Sequence, residues 1–196
     1  NRFAIHPMEG WDGTTTGGVT DEMTRRWRRF GESGAKLILG GEAMAVRSGG
    51  RANPNQLILN EENQSAIARL RDTLIAAHGE RFGSTDDLAI GFQLTHSGRF
   101  CRPNEKTKFE PRVAYRHPIL DAKFHVTSND QVWTDDEIAG LIGDYVRAAR
   151  LAGEGKEPHL ELAVFAGLQC AIIGEDGKPL APVELRPVVE ANQRHR

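Results

Sequence analysis

Hydrophobic runs and polar breaks follow one another in a repeating order along this chain. Arg2-Phe3-Ala4-Ile5-His6 is a short strand-like run that Pro7 stops. A glycine- and threonine-rich loop, Gly10 to Gly18, follows, and Thr20 then caps a predicted helix with Asp21 and Glu22 in its first turn. Met23, Trp27 and Phe30 fall on one apolar stripe of that helix, while Arg25, Arg26, Arg28 and Arg29 read as a solvated face. Gly34 ends it.

The order then repeats. Ala35 to Leu39 is a buried-strand candidate running into Gly40-Gly41-Glu42-Ala43. A second helix is predicted from Glu61 to His78, with Ile67, Leu70, Leu74 and Ile75 on one face and Gly79 after it. Leu88 to Leu94 is the third strand. A long loop, Thr95 to Trp133, leads to a capping-box pattern at Thr134-Asp135-Asp136-Glu137. Ile138, Leu141, Ile142, Tyr145 and Val146 supply the core stripe of the helix that follows. A loop as long as Thr95–Trp133 carries function or local structure of its own. After Gly153 the character changes: Glu154 to Pro158 is a polar break, and Leu160–Phe165 and Cys170–Gly174 read as strands. A turn at Glu175–Lys178 and a polar tail close the sequence. Strands alternating with helices predict an α/β fold with a parallel sheet, and continuous apolar strands fit a sheet covered on both faces.

Composition narrows the function classes. The chain has 196 residues with 39% hydrophobic and 27% charged positions, an ordinary globular balance. Lys and Arg number 25 against 27 Asp and Glu, a formal charge of -2, which argues against a nucleic-acid footprint or a polybasic membrane patch. The two cysteines, Cys101 and Cys170, cannot form a disulfide framework or a four-cysteine metal site. The most apolar stretch, Leu160–Ile173, is broken by Glu161 and Gln169 and is shorter than a bilayer span. A soluble, cytoplasmic domain is the expectation, with no nucleic acid and no membrane as partner.

Ligands of parallel α/β folds bind beyond the carboxyl ends of the strands. Those ends here are His6-Pro7-Met8-Glu9-Gly10, Gly40-Gly41-Glu42-Ala43 and Gln93-Leu94-Thr95-His96-Ser97-Gly98-Arg99. They supply a small residue for close approach, an amide that both donates and accepts, and titratable groups, an inventory suited to a flat heterocycle with imide-like edges. Glu9, Asp12 and Glu42 match no metal motif by spacing, so the metal expectation is none. Cys101 is read as an inert loop thiol.

These blocks resemble the Old Yellow Enzyme family: Asn1 to Met8, Leu39 to Val46 around Glu42-Ala43, and Ile90 to Arg99 with its Gln-Leu-x-His-x-Gly-Arg pattern. The resemblance runs from Asn1 to about Gly153 and implies a (β/α)8 TIM-barrel type of fold, truncated here to the first three or four βα units with a divergent C-terminal segment. Residues 1–153 would be the N-terminal part of a flavin-oxidoreductase-like barrel, and residues 154–196 a divergent segment holding a strand pair and tail. The resemblance further implies FMN as cofactor and NAD(P)H as reductant. Hydride would pass through flavin N5 to a small-molecule acceptor such as an activated alkene. Pro7, Met8 and Glu9 match the segment that lies along the flavin ring, Ala43 the small residue beside it, and Gln93 the amide on its pyrimidine edge. Glu9 stands where many relatives carry Thr or Cys, and its charge would oppose electron density on a reduced flavin unless it turns away or is protonated. His96 and Arg99 belong to the pattern in structural roles. After Gly153 the sequence offers His159 but no Tyr, so the family's substrate-holding His pair and proton-donating Tyr have no match, nor does its later flavin-binding Arg, and the catalytic residues are left unassigned. The alternative is a catalytically inactive half-barrel, a scaffold or one that completes its site only in a homo-oligomer or with another chain. A third reading takes the segment after Gly153 as a frame-shifted or spliced tail.

Overall fold

Strand β1 (Ala4–Ile5), helix α1 (Asp21–Glu32), strand β2 (Leu37–Ala45) and helix α2 (Gln64–Phe82) open the chain in strict alternation. Strand β3 (Ala89–Thr95) follows, then the short helix α3 (Pro118–Phe124), the long helix α4 (Asp135–Gly153) and strand β4 (Val164–Ala166). The computed structural model describes residues 3–153 and 164–166. All strand pairs are parallel and the sheet order is β1-β2-β3-β4, each strand beside its sequence neighbour. Sequential parallel strands joined through helices make the first units of a (β/α) barrel. The expected strand at Cys170–Gly174, the turn after it and the tail lie outside the described residues.

Local chemistry explains most of the boundaries. The Thr20 side chain accepts the Met23 amide at 3.3 Å and starts α1. Thr134 and Glu137 close a reciprocal capping box on α4, with Thr134 N donating to Glu137 Oε2 at 2.9 Å and Glu137 N donating to Thr134 Oγ1 at 3.3 Å. The second helix departs from expectation at both ends. It begins at Gln64, because Asn60 Oδ1 accepts the Asn63 amide at 2.9 Å and holds residues 61–63 in a turn. It runs through Gly79 to Phe82 and ends at Gly83, whose φ of 80° supplies the left-handed cap. A helical glycine costs only about 1 kcal/mol, less than the packing that continuing the helix secures. Phe82 closes over the His78 ring at 4.7 Å between centroids.

One core joins the helices to one face of the sheet. Met23 and Trp27 of α1, Leu70 and Leu74 of α2, and Ile38, Met44, Ile90, Phe92 and Leu94 of the strands are buried together. The helices approach closely at Gly31, where any Cβ would fall inside the radius of the Leu74 carbonyl oxygen. The expected stripe of α4 is rotated. Leu141, Tyr145 and Ala148 pack on the core, whereas Ile142 and Val146 are 60% and 45% exposed. Alternation leaves Gly91, Gln93 and Thr95 on the opposite face of β3, toward what would be the barrel interior.

Strand β2 is longer than predicted and is bulged. It continues through Gly40-Gly41-Glu42 to Ala45, so Ala43 sits inside the strand rather than beyond its end. Leu39 faces Gly91 and Ala43 faces Gln93, so four residue steps on β2 oppose two on β3. An even excess keeps the side-chain alternation in phase. Met44 and Leu94 return to the core, where a single inserted residue would have turned one of them out.

The Thr95–Trp133 connection has structure of its own: single 3-10 turns at Gly98–Phe100 and Asn129–Gln131, helix α3, and a Val113–Val132 bridge. Asp121 in α3 pairs with both Arg99 and Arg116, and Phe100 and Phe109 pack edge-on against Phe124. No helix among the described residues is long and apolar enough to cross a membrane.

Candidate functional site

The carboxyl ends of β1, β2 and β3 form one rim, and their loops are stitched together there. Arg51 is 5% exposed and does most of the stitching. It donates to the Thr15 carbonyl of the first loop at 2.8 Å and to the Pro103 carbonyl of the third at 2.9 Å. Arg102 lies over the faces of Trp11 and Phe109, 5.4 and 5.1 Å from their centroids, linking the first and third loops again.

Every predicted site residue lies along this rim. Ala43 is 4% exposed and stands opposite Gln93 in the β2–β3 ladder. The Gln93 side chain is half-buried and has no hydrogen-bond partner among the described residues, leaving its donor and its acceptor available. Pro7, Met8 and Glu9 continue the chain from β1; Met8 is 74% exposed, whereas Pro7 and Glu9 are half-buried.

Glu9 is turned into a polar niche. Its carboxylate accepts from Trp11 Nε1 and Asn53 Nδ2 at 3.3 Å and from Gln56 Nε2 at 3.4 Å. Burial raises its pKa from the ordinary carboxylate value, against those donors and the Arg102 charge. Gln56 is itself 1% exposed and donates to the Ala43 carbonyl at 2.9 Å, which fixes the backbone at that small residue. Asn53 and Gln56 carry no sequence signal that marks them: they are polar residues in a Pro- and Asn-containing loop, and only the folded contacts bring them under Glu9. Arg26 was expected on a solvated face and is instead drawn inward, where it bridges Asp12 and Glu42. Those two carboxylates therefore meet through a guanidinium, and no metal-binding cluster occurs among the described residues.

His96 and Arg99 take structural places. His96 Nδ1 accepts the Gly98 amide at 3.1 Å, so its neutral ring carries a proton on Nε2, which is buried without a partner. Burial, reinforced by Arg47 and Arg112, pushes its pKa down to about 4. The ring packs edge-on against Trp133 at 5.4 Å. Arg99 donates to the Tyr115 carbonyl at 2.5 Å and pairs with Asp121. Burial pushes the Cys101 thiol up to about 12, which removes it as a nucleophile.

A sheet of sequential parallel strands joined through helices is also found in a group of solved structures. An old yellow enzyme homologue from Zymomonas mobilis superposes with a TM-score of 0.57 at 20% identity, over 79% of this chain and 42% of that one. The fold is Old Yellow Enzyme-like. The Old Yellow Enzyme of a Pichia species matches with a TM-score of 0.56 at 16% identity, over 79% of this chain and 39% of that one. That of Trypanosoma cruzi gives 0.52 at 22% identity, over 78% of this chain and 44% of that one. The chain therefore spans about two fifths of the length of these structures. No family model and no curated protein matches the chain. The likeness is one of fold.

Proposed function

We propose that this chain forms the first part of an FMN-dependent NAD(P)H oxidoreductase site and contributes the wall against which the flavin ring lies. The observation that carries this reading is the Gln93 amide, open at the strand rim beside Ala43, with the Pro7–Glu9 segment following β1 on the other side of β2. A side-chain amide that gives and takes a hydrogen bond matches an imide-like pyrimidine edge, and Ala43 leaves room for close approach. Pro7 and Met8 would flank the ring, and FMN, when bound, would supply the hydride chemistry between NAD(P)H and a small acceptor such as an activated alkene. Glu9, held by Trp11, Asn53 and Gln56, would be turned from the ring, which would keep its charge from opposing reduction. The cytoplasm is the compartment we assign. We assign residues 1–153 to the barrel part and residues 154–196 to a separate C-terminal segment.

The direct test is the visible spectrum of the purified chain before and after FMN addition and gel filtration. A retained flavin band that NAD(P)H bleaches supports the reading; a colourless protein that cannot hold FMN overturns it. Gln93→Leu is expected to weaken FMN binding by about 1–3 kcal/mol, as loss of a buried amide partner does, measured by fluorescence titration. Unchanged affinity would take Gln93 out of the site.

The open sheet favours a second reading. β1 pairs only with β2, and β4 only with β3, so both edge strands carry unpaired backbone on their outer sides among the described residues. Such edges invite pairing with a second copy or another chain, which would complete the barrel or make this one a scaffold. Solution mass by light scattering separates the cases, because a monomer that holds FMN leaves no place for the oligomeric one.

A further inference from the structure

Within the β2 bulge lies a carboxylate that the flavin reading does not use. Glu42 is 1% exposed, immediately before Ala43. Its Oε1 accepts the Gly10 amide at 3.0 Å and its Oε2 accepts from Arg26 Nη2 at 2.7 Å. The same Arg26 fork holds Asp12, through Nη2 to Oδ1 at 2.8 Å and Nε to Oδ2 at 3.2 Å. One side chain thus ties together the strand beside Ala43, helix α1, and the loop that directly follows Pro7-Met8-Glu9. Gly10 is shaped for this contact, since a Cβ there would collide with the Arg26 guanidinium and the Asp12 carboxylate. Burying a carboxylate is costly, and closing a bulge does not require one. What the carboxylate adds is a charge-assisted acceptor for a backbone amide from another element.

The geometry points to Glu42 as a positioning residue that anchors the Pro7–Gly10 segment at the level of Ala43 and Gln93, so that the ring-facing wall is formed before ligand arrives. This deepens the flavin reading and rests on it. Among the described residues, the charged groups that face Glu42 are Arg26 from α1 and Asp12 from the first loop. The wall would then need no reordering when a ring docks on it.

The test follows amide exchange by NMR and FMN affinity by fluorescence on the full chain, in wild type, Glu42→Gln and Glu42→Ala. Glu42→Ala should speed Gly10 exchange by at least about tenfold and weaken FMN by a similar factor, the scale of a hydrogen bond to a charged group. Glu42→Gln keeps a weaker, uncharged acceptor in the same shape and should speed Gly10 exchange and weaken FMN by about two- to fivefold, less than Glu42→Ala does. The Leu70 and Leu74 amides of α2 should not change in either variant. Unchanged Gly10 exchange in Glu42→Ala overturns the proposal, and so does a freed Gly10 with unchanged FMN affinity. If Glu42→Ala also loosens α2, Glu42→Gln decides: faster exchange confined to the Gly10 region supports the anchor, and no change overturns it. If wild type binds no FMN, the flavin reading falls, and Gly10 exchange alone then decides whether Glu42 anchors the loop.

Discussion

Trp27→Ala should cost about 3–5 kcal/mol of stability, the range for deleting a large aromatic from a core. Trp27 is fully buried at 0% exposure, on the inner stripe of α1, and its ring meets Phe92 of β3 at 5.9 Å between centroids. It therefore joins the first helix to the third strand, two elements far apart in sequence, and no neighbour can close the void without moving the helix. Against a domain stability of about 5–15 kcal/mol, such a loss removes from about a fifth to all of it and lowers the urea midpoint accordingly. Trp27→Phe is a useful companion. The indole N–H is buried with no partner among the described residues, so the smaller ring gives up volume but also removes an unsatisfied donor. Urea unfolding followed by circular dichroism should place Trp27→Phe between wild type and Trp27→Ala. Equal losses in the two variants would mean that ring volume does not govern this contact.

Elements set by local chemistry were legible in the sequence. The stripe of Met23 and Trp27 and the caps at Thr20 and Thr134 depend on residues within one or two helical turns, and each is found where the pattern puts it. What was missed depends on partners far along the chain. The β2 bulge is a register fact about two strands, and its local hint was the Gly40-Gly41 pair inside an otherwise apolar run. Gly79 resembles a helix stop, yet Phe82 packing on His78 carries the helix one turn further to Gly83. In α4 the apolar positions cover more than one face, so periodicity alone did not decide that Ile142 and Val146 point away from the core.

The site divides along the same line. The strand-end rule and the family resemblance picked out Pro7, Met8, Glu9, Ala43 and Gln93; in the fold the first three follow β1, and Ala43 stands opposite Gln93 inside the β2–β3 ladder. Neither could reveal that Ala43 and Gln93 are direct ladder partners, because that pairing follows from the bulge. Nor did they identify Asn53, Gln56 or Arg51, whose side chains hold the rim loops from beneath. Arg26 was assigned to solvent with its arginine neighbours, since helical phase alone does not show that Asp12 and Glu42 converge on its guanidinium.

Two buried groups of opposite type should make opposing contributions to the pH dependence of stability, which single variants separate. Burial pushes the Glu42 carboxyl up to about 7, against the pull of Arg26, so the folded chain holds that proton more tightly than the unfolded chain does. Its contribution is complete below about pH 4.5 and is lost as pH rises through 7. Burial and the Arg47 and Arg112 charges push His96 down to about 4, so the unfolded chain binds that proton more tightly. Its contribution is complete above about pH 6.5 and is lost as pH falls toward 4. Each shift amounts to about 3 kcal/mol at 1.36 kcal/mol per unit. Between about pH 4.5 and 6.5 the two slopes oppose one another. Glu42→Gln should therefore become more stable relative to wild type as pH rises across this window. His96→Asn, whose side-chain oxygen can still accept the Gly98 amide, should become more stable relative to wild type as pH falls. Urea unfolding at pH 4.5, 5.5 and 6.5 measures both differences, and every titrating group shared by the variants cancels from them. A wild-type minus Glu42→Gln difference that stays constant across the window would show that the Arg26 pair fully offsets the burial of Glu42. A constant wild-type minus His96→Asn difference would show that the His96 ring reaches solvent in the folded chain.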